Sequence, residues 1–371
     1  MQTPYYIVYE DKLRRNIELI RSVADRAGVE IIMAFKANAL WRSFPVLREY
    51  GVNATASSLN ELQLGVEELG AEIHSYCPAY TEESIGKYLD DSTHITFNSL
   101  SQAKRFLPAV KAREGKVSAG LRVNPRCSVV ETDIYNPALP GSRFGVSPED
   151  MPDILPDGIE GLHFHALCEG SPDDLAKVLE AFEVQFGSHI DRMKWINMGG
   201  GHLMTRADYD TEHLVEILRG FRNRHPGVKV ILEPGSAWTW RTGDLITSVV
   251  DIVENQGVAT AIIDASFACH MPDTLEMPYR PTISESTDGG NYEYRLGGNS
   301  CLSGDFCGPW RFDSPLQPGQ RLTLEDMNHY TTVKTTMFNG IKHPSIVFQR
   351  ADGTQELLRE YTYEDYKSRM S

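Results

Sequence analysis

A chain of 371 residues is long enough for a large core and for more than one domain. Its 36 Lys and Arg stand against 51 Asp and Glu, a formal net charge of −15 that argues against nucleic acid as a partner and favours cationic ligands. No apolar run is long enough to span a bilayer, the amino terminus lacks the basic-then-apolar order of a signal peptide, and the six cysteines form no CxxC pair. The expectation is a soluble cytoplasmic protein with free thiols.

Residues 4–9 (PYYIVY) are aromatic and β-branched and predict a strand. Residues 11–27 put Leu13, Ile17, Ile20, Val23 and Ala24 on one helical face, and Gly28 stops the helix. The apolar run before Lys36 reads as a strand buried on both faces. Seven more strands are expected at 52–56, 72–77, 94–98, 117–124, 161–167, 194–198 and 228–232. Helical spacing lies between them at 58–69, 82–89, 101–111, near 148–154, and at 172–186 and 208–224. Eight strands alternating with helices predict a (β/α)8 barrel over 10–242. A doubly wound sheet would want a Gly-rich turn after its first strand, where this chain has Lys-Ala-Asn. From about residue 243 short alternating segments replace the helices, at 246–253, 258–263, 292–296, 320–324 and 345–348. They predict an antiparallel β domain made of 243–371, with 1–9 as an added strand.

Barrel active sites sit at the carboxyl ends of the strands. The predicted strands deliver there Lys36, His74 and Tyr76, Arg122 and Asn124, His163 and His165, Gly199-Gly200-Gly201-His202, and Glu233-Pro234-Gly235-Ser236. A desolvated lysine loses basicity and attacks carbonyls, so Lys36 reads as a Schiff-base lysine. The triple glycine leaves backbone N–H groups for a phosphate, and the Glu-Pro-Gly turn is a second wall. Glu233 can hold a protonated pyridine nitrogen, a charge-assisted bond of roughly 1.5–3 kcal/mol. His163 and His165 share one strand face, but a metal would need further ligands at workable spacing, so none is expected. One imidazole stacked on a flat ring fits better. Lysine, phosphate cradle and ring-nitrogen carboxylate together suggest pyridoxal 5'-phosphate.

The chain resembles the fold type III pyridoxal-phosphate decarboxylases, the alanine racemase and ornithine decarboxylase group. The resemblance lies in residues 34–38 (AFKAN), 121–125 (LRVNP), 142–145 (SRFG), 163–165 (HFH), 198–201 (MGGG), 233–235 (EPG) and 301–305 (CLSGD), with the region of Tyr330. It covers nearly the whole chain. Residues 161–169 (GLHFHALCE), 270–273 (HMPD), 328–336 (NHYTTVKTT) and 338–340 (FNG) bring it closest to the carboxynorspermidine/carboxyspermidine decarboxylase family.

That resemblance implies decarboxylation of a cationic carboxylated polyamine in polyamine biosynthesis. Lys36 would bind the cofactor covalently, His165 stack on its ring, and Glu233 pair with the ring nitrogen. Gly199, Gly200, Gly201, Gly235 and Tyr330 would hold the phosphate, and Cys301 would return a proton to Cα. The site would lie between the subunits of a homodimer, with Cys301, Asp305 and Tyr330 facing the partner's Lys36. Ornithine-type relatives have Asp after this cysteine and diaminopimelate-type relatives have Glu, whereas this chain has Leu302, which weighs against both substrates. Ornithine-type relatives also have Arg after Glu-Pro-Gly, where this chain has Ser236. Asp264, Asp273, Asp305 and Glu169 are the carboxylates expected to bind the polyamine. The alternatives are a diaminopimelate or basic amino-acid (ornithine, arginine) decarboxylase, an amino-acid racemase and a non-catalytic cofactor carrier.

Overall fold

In the computed structural model β1 (Tyr5–Tyr9) leads into a helix, Glu10–Ala27, whose Leu13, Ile17, Ile20 and Val23 are fully buried, as the 3.6-residue spacing requires. The structure describes residues 1–113 and 115–371 and divides them into two compact units, Asn16–Trp238 and Met1–Arg15 with Thr239–Ser371.

The first unit is the barrel. Its strands are β2 (Glu30–Ile31), β3 (Met33–Ala34), β4 (Ala54–Ala56), β5 (Ile73–Tyr76), β6 (His94–Phe97), β7 (Ser118–Arg122), β8 (Ile159–His163), β9 (Trp195–Asn197) and β10 (Lys229–Leu232). They pair in parallel in the order β2-β10-β9-β8-β7-β6-β5-β4-β3. β2 and β3 are one strand interrupted at Ile32. Ile32 N–H donates to Leu232 O at 2.9 Å, and the next amide, of Met33, donates to Asn53 O at 2.9 Å. The first strand therefore turns from its last neighbour to its second within one residue, and the eight-stranded barrel closes.

Parallel strands covered on both faces must be apolar, and β4 to β10 are almost entirely buried. Polar pairs ring the amino ends of the strands. Glu30 meets Lys229 at 2.7 Å, Glu160 accepts Ser118 Oγ at 2.6 Å and pairs with Lys194, and the rings of His74 and His94 lie 4.0 Å apart. Trp195 fills the interior between Gly120 and Gly161. A Cβ on Gly161 would fall 2.1 Å from its indole, so the barrel takes one large ring there and no neighbouring side chain.

The second unit is one eight-stranded sheet. Its members are β1, β11 (Gly243–Asn255), β12 (Val258–Ile263), β13 (Tyr292–Gly297), β14 (Phe306–Phe312), β15 (Arg321–Leu324), β16 (Ser345–Gln349) and β17 (Gln355–Arg359). The order is β14-β13-β12-β11-β1-β16-β17, with β15 also on β11. Two pairs, β1 with β16 and β12 with β13, are parallel, so the sheet is mostly rather than wholly antiparallel. The register on β11 shifts between Val249 and Asp251, which lets one 13-residue strand serve several partners. No helix among the described residues is long and apolar enough to cross a membrane.

Candidate active site

The carboxyl ends of the barrel strands surround a cavity of about 760 Å³, within the roughly 300–1,000 Å³ range of small-molecule sites. Lys36, Tyr76, Arg122, His163, His165 and Glu233 line one part of it, and the loop 133–144 after β7 lines another. Lys36 follows β3 in a turn and reaches solvent through this cavity, yet protein surrounds it closely. Burial lowers the pKa of its ammonium group and Arg122 adds to the effect, while Glu233 opposes it. A lysine so placed gives up its proton more readily than a free one.

Glu233 leaves the end of β10. Burial alone would raise its carboxyl pKa. His163 overrides this through its Nε2 contact to Oε1 at 3.0 Å, with help from Lys36 and from Asn197 Nδ2 donating to Oε2 at 3.1 Å. The carboxylate is held well below its usual range, as an anion. His163 is itself pushed down by burial, and its Nδ1 is buried with no partner. A neutral ring can hold Glu233 only as the Nε2–H tautomer, so His163 is a fixed donor.

His165 is fixed in the same way. Its Nδ1 accepts the Gly200 N–H at 2.9 Å, and burial, with Lys36 and Arg122, lowers its pKa well below the ordinary value. The ring is neutral and its orientation is set by the glycine loop. That loop tolerates no side chains: a Cβ on Gly199, Gly200 or Gly201 would fall 2.5, 2.5 and 2.3 Å from the carbonyl oxygens of Phe164, Glu233 and Leu167. Gly199 and Gly201 also have φ of +72° and +90°. Two of the three loop amides are already used, Gly199 by Asn197 Oδ1 at 2.8 Å and Gly200 by His165. The Gly201 amide and those of Gly235 and Ser236 donate to no group among the described residues. The anion cradle is thus narrower than a triple-glycine nest. Gly235 is equally confined, its Cβ position lying 2.5 Å from Ala37 Cβ.

Asn197 was not singled out by the sequence, although it binds Gly199 N–H and Glu233 together. An Asn two residues before a positive-φ glycine is an Asx-turn signature, and that signal could have found it. Arg122, also in the cavity, stacks between the rings of Tyr76 (4.7 Å) and Phe144 (4.5 Å).

The remaining expected residues, apart from exposed Glu169 on the barrel unit, belong to the sheet unit. Cys301 is exposed, and its N–H donates to Asn339 Oδ1 at 2.8 Å. Tyr330 sits in a turn at φ +52°. Asp273 pairs with Lys334. Asp305 is buried and accepts Ser266 Oγ (2.8 Å), Ala268 N–H (2.9 Å) and Ser300 Oγ (2.5 Å). Asp264 accepts Thr247 Oγ1 (2.6 Å), Ser248 N–H (2.9 Å) and Thr3 Oγ1 (2.6 Å). The oxygens of these two aspartates are engaged in their own unit, where they hold strand ends and the Cys301 turn. Glu169 has φ +51°.

These residues fit pyridoxal phosphate: a lysine whose basicity burial lowers, a fixed carboxylate anion, a flat neutral ring, and a cradle that any Cβ would fill. The pyridoxal-dependent decarboxylase family model (C-terminal sheet domain) matches residues 21–328, and the chain belongs to that family. Within it, the chain is 44% identical to the carboxyaminopropylagmatine decarboxylase of Synechocystis sp., over 100% of this chain and 96% of the relative. It is 41% identical to the carboxynorspermidine/carboxyspermidine decarboxylase of Campylobacter jejuni, over 100% and 98%. The crystal structure of carboxynorspermidine decarboxylase from Campylobacter jejuni complexed with norspermidine matches with a TM-score of 0.91 at 39% identity, over 100% of both chains. Diaminopimelate decarboxylases are similar at 22–23% identity.

Proposed function

We propose that this enzyme removes the carboxylate of a carboxylated polyamine, carboxynorspermidine or carboxyspermidine, leaving norspermidine or spermidine. The observation that carries the reading is the end-to-end likeness, at 41%, to a decarboxylase of those two substrates. The net charge of −15 suits a cationic substrate. Leu302, apolar and 45% exposed, offers no charge where ornithine- and diaminopimelate-type enzymes place a carboxylate. A second reading has its own support: the relative at 44% acts on carboxyaminopropylagmatine, whose far end is a guanidinium rather than an ammonium.

Bound pyridoxal phosphate supplies the electron sink for the pair left when the carboxylate departs. Lys36 would hold the cofactor covalently until the substrate amine takes its place. Glu233, held anionic by His163 and Asn197, would keep the proton on the ring nitrogen. His165, its orientation fixed by the Gly200 N–H, would stack on the ring without adding charge. The Gly201 and Gly235 amides and Tyr330 would hold the phosphate. Cys301 delivers the proton to the carbon that has lost its carboxylate.

Cys301 and Tyr330 act, in this proposal, on the partner's site in a homodimer. Leu302, Phe306 and Phe338 (40–51% exposed) give the Cys301 region an apolar surface for that contact. Six free cysteines fit a reducing cytoplasm.

Carbon dioxide release from carboxynorspermidine, carboxyspermidine, carboxyaminopropylagmatine, diaminopimelate, ornithine and arginine tests the reading, with Lys36→Ala as the control. Release from a carboxypolyamine, lost in the variant, is expected and ranks the substrates. Release from diaminopimelate or a basic amino acid alone would overturn it.

A further inference from the structure

The cavity that holds Lys36 contains five formally charged side chains: Lys36, Arg122 and Arg143 are cationic, Asp133 and Glu233 anionic. Glu233 is committed to His163 and Asn197. Asp133 opens the short turn Asp133–Tyr135, is exposed, and its carboxylate makes no hydrogen bond or ion pair among the described residues. Its loop is nevertheless fixed to the barrel. Asn98 Nδ2 donates to Arg143 O at 2.8 Å, Gly145 N–H donates to Asn98 Oδ1 at 3.0 Å, and Tyr76 OH donates to the same Oδ1 at 2.8 Å. Within the loop Ser142 Oγ donates to Pro137 O at 2.6 Å, and Asn136 Nδ2 reaches back to Val130 O at 3.2 Å. A cation entering this cavity meets the guanidinium groups of Arg122 and Arg143 and one uncommitted carboxylate on a tethered wall. Unpaired cations are not drawn into such a space without a counter-ion.

We infer that Asp133 is the specificity residue for the polyamine tail, pairing with an ammonium group beyond the amino-acid head of the substrate. The inference rests on the proposed substrate class and deepens it. Asp133 touches the tail and not the reacting carbon, so its loss weakens binding and leaves the chemistry of the head intact.

The test uses the holoenzyme and Asp133→Asn, with Asp133→Glu as the charge-conserving control and the cofactor absorbance band as a check on loading. With carboxynorspermidine, KM rises roughly tenfold in D133N while kcat changes less than about threefold, and D133E recovers most of the loss. With 2,4-diaminobutyrate, the same head without the aminopropyl arm, kcat/KM moves less than about twofold. Calorimetry with norspermidine tests the residue without turnover, and Kd weakens by roughly tenfold in D133N. An unchanged norspermidine Kd, or an equal fall for the two amino acids, overturns the assignment of Asp133. A wild-type enzyme that binds norspermidine through Asp133 but releases no carbon dioxide from any carboxypolyamine overturns the substrate reading alone.

Discussion

Asn197→Ala cuts the link between the glycine loop and the ring-nitrogen carboxylate. The wild-type side chain is 4% exposed and makes two bonds, accepting Gly199 N–H at 2.8 Å and donating to Glu233 Oε2 at 3.1 Å. Removing it leaves a buried amide unpaired, worth roughly 1–3 kcal/mol, and deletes a charge-assisted bond worth roughly 1.5–3 kcal/mol. The expected loss of stability is roughly 2.5–6 kcal/mol, read from denaturant midpoints of the apo-protein. Asn197→Asp separates the two roles. The acceptor for Gly199 stays, but a second carboxylate now faces Glu233. At 3.1 Å and an effective dielectric constant near 20 the repulsion is about 5 kcal/mol, so the pair shares a proton near neutral pH. Glu233 then no longer holds the ring-nitrogen proton firmly. N197D therefore loses more kcat than N197A, by roughly tenfold, in single-turnover decarboxylation. Equal or higher kcat in N197D would refute the view that the fixed charge on Glu233 drives the step.

Gly201→Ala puts a Cβ 2.3 Å from Leu167 O at a φ of +90°; cofactor affinity, titrated by absorbance, falls roughly tenfold or more. Cys301→Ala lowers kcat on the order of 10²–10⁴ with the cofactor band unchanged, which stopped-flow turnover checks. His74 and His94 are pushed down, chiefly by burial, to about 3 and about 4. Both rings are neutral in the fold and take up protons on unfolding, so their contribution is level above about pH 6.5 and falls as pH drops through 5 toward 4. At pH 5 the pair removes roughly 2–4 kcal/mol of stability. Urea midpoints at pH 7.5 and 5 should diverge less in a His74→Asn/His94→Gln variant, and an identical pH dependence would refute this assignment.

The barrel was legible because parallel strands covered on both faces are written as apolar runs, and all eight were found within a few residues. The interruption at Ile32 was not legible, since nothing in the local run marks which neighbour each amide will bond. The sheet unit was harder. β1 was assigned to it, but its parallel pairing with β16 joins residues more than three hundred positions apart, which no local pattern encodes. β14 carries a Gly-Pro step and β17 is largely exposed and charged, so neither alternates clearly, and both went unseen. In the site, Lys36, His165, Glu233 and the glycines stood at strand ends, where barrels keep their chemistry. At Asp264 and Asp305 the carboxylate is visible in sequence while the hydrogen bonds that occupy it are not. Asp133 was hidden in a loop with no periodicity to place it.

The seam at Ile32 also dictates when the site comes into being during folding. Lys36 follows the first strand and Glu233 the last, about 200 residues later, and the pairing of Glu30 with Ile231 and of Ile31 with Leu232 brings them together. Closing so long a loop is among the most entropically demanding contacts in the chain and forms late. A nascent chain that has not yet emitted β10 holds the lysine without its carboxylate and offers the cofactor no complete pocket. Pyridoxal phosphate then binds only the closed ring and stabilises it by mass action, acting as a clasp on the final turn of the barrel.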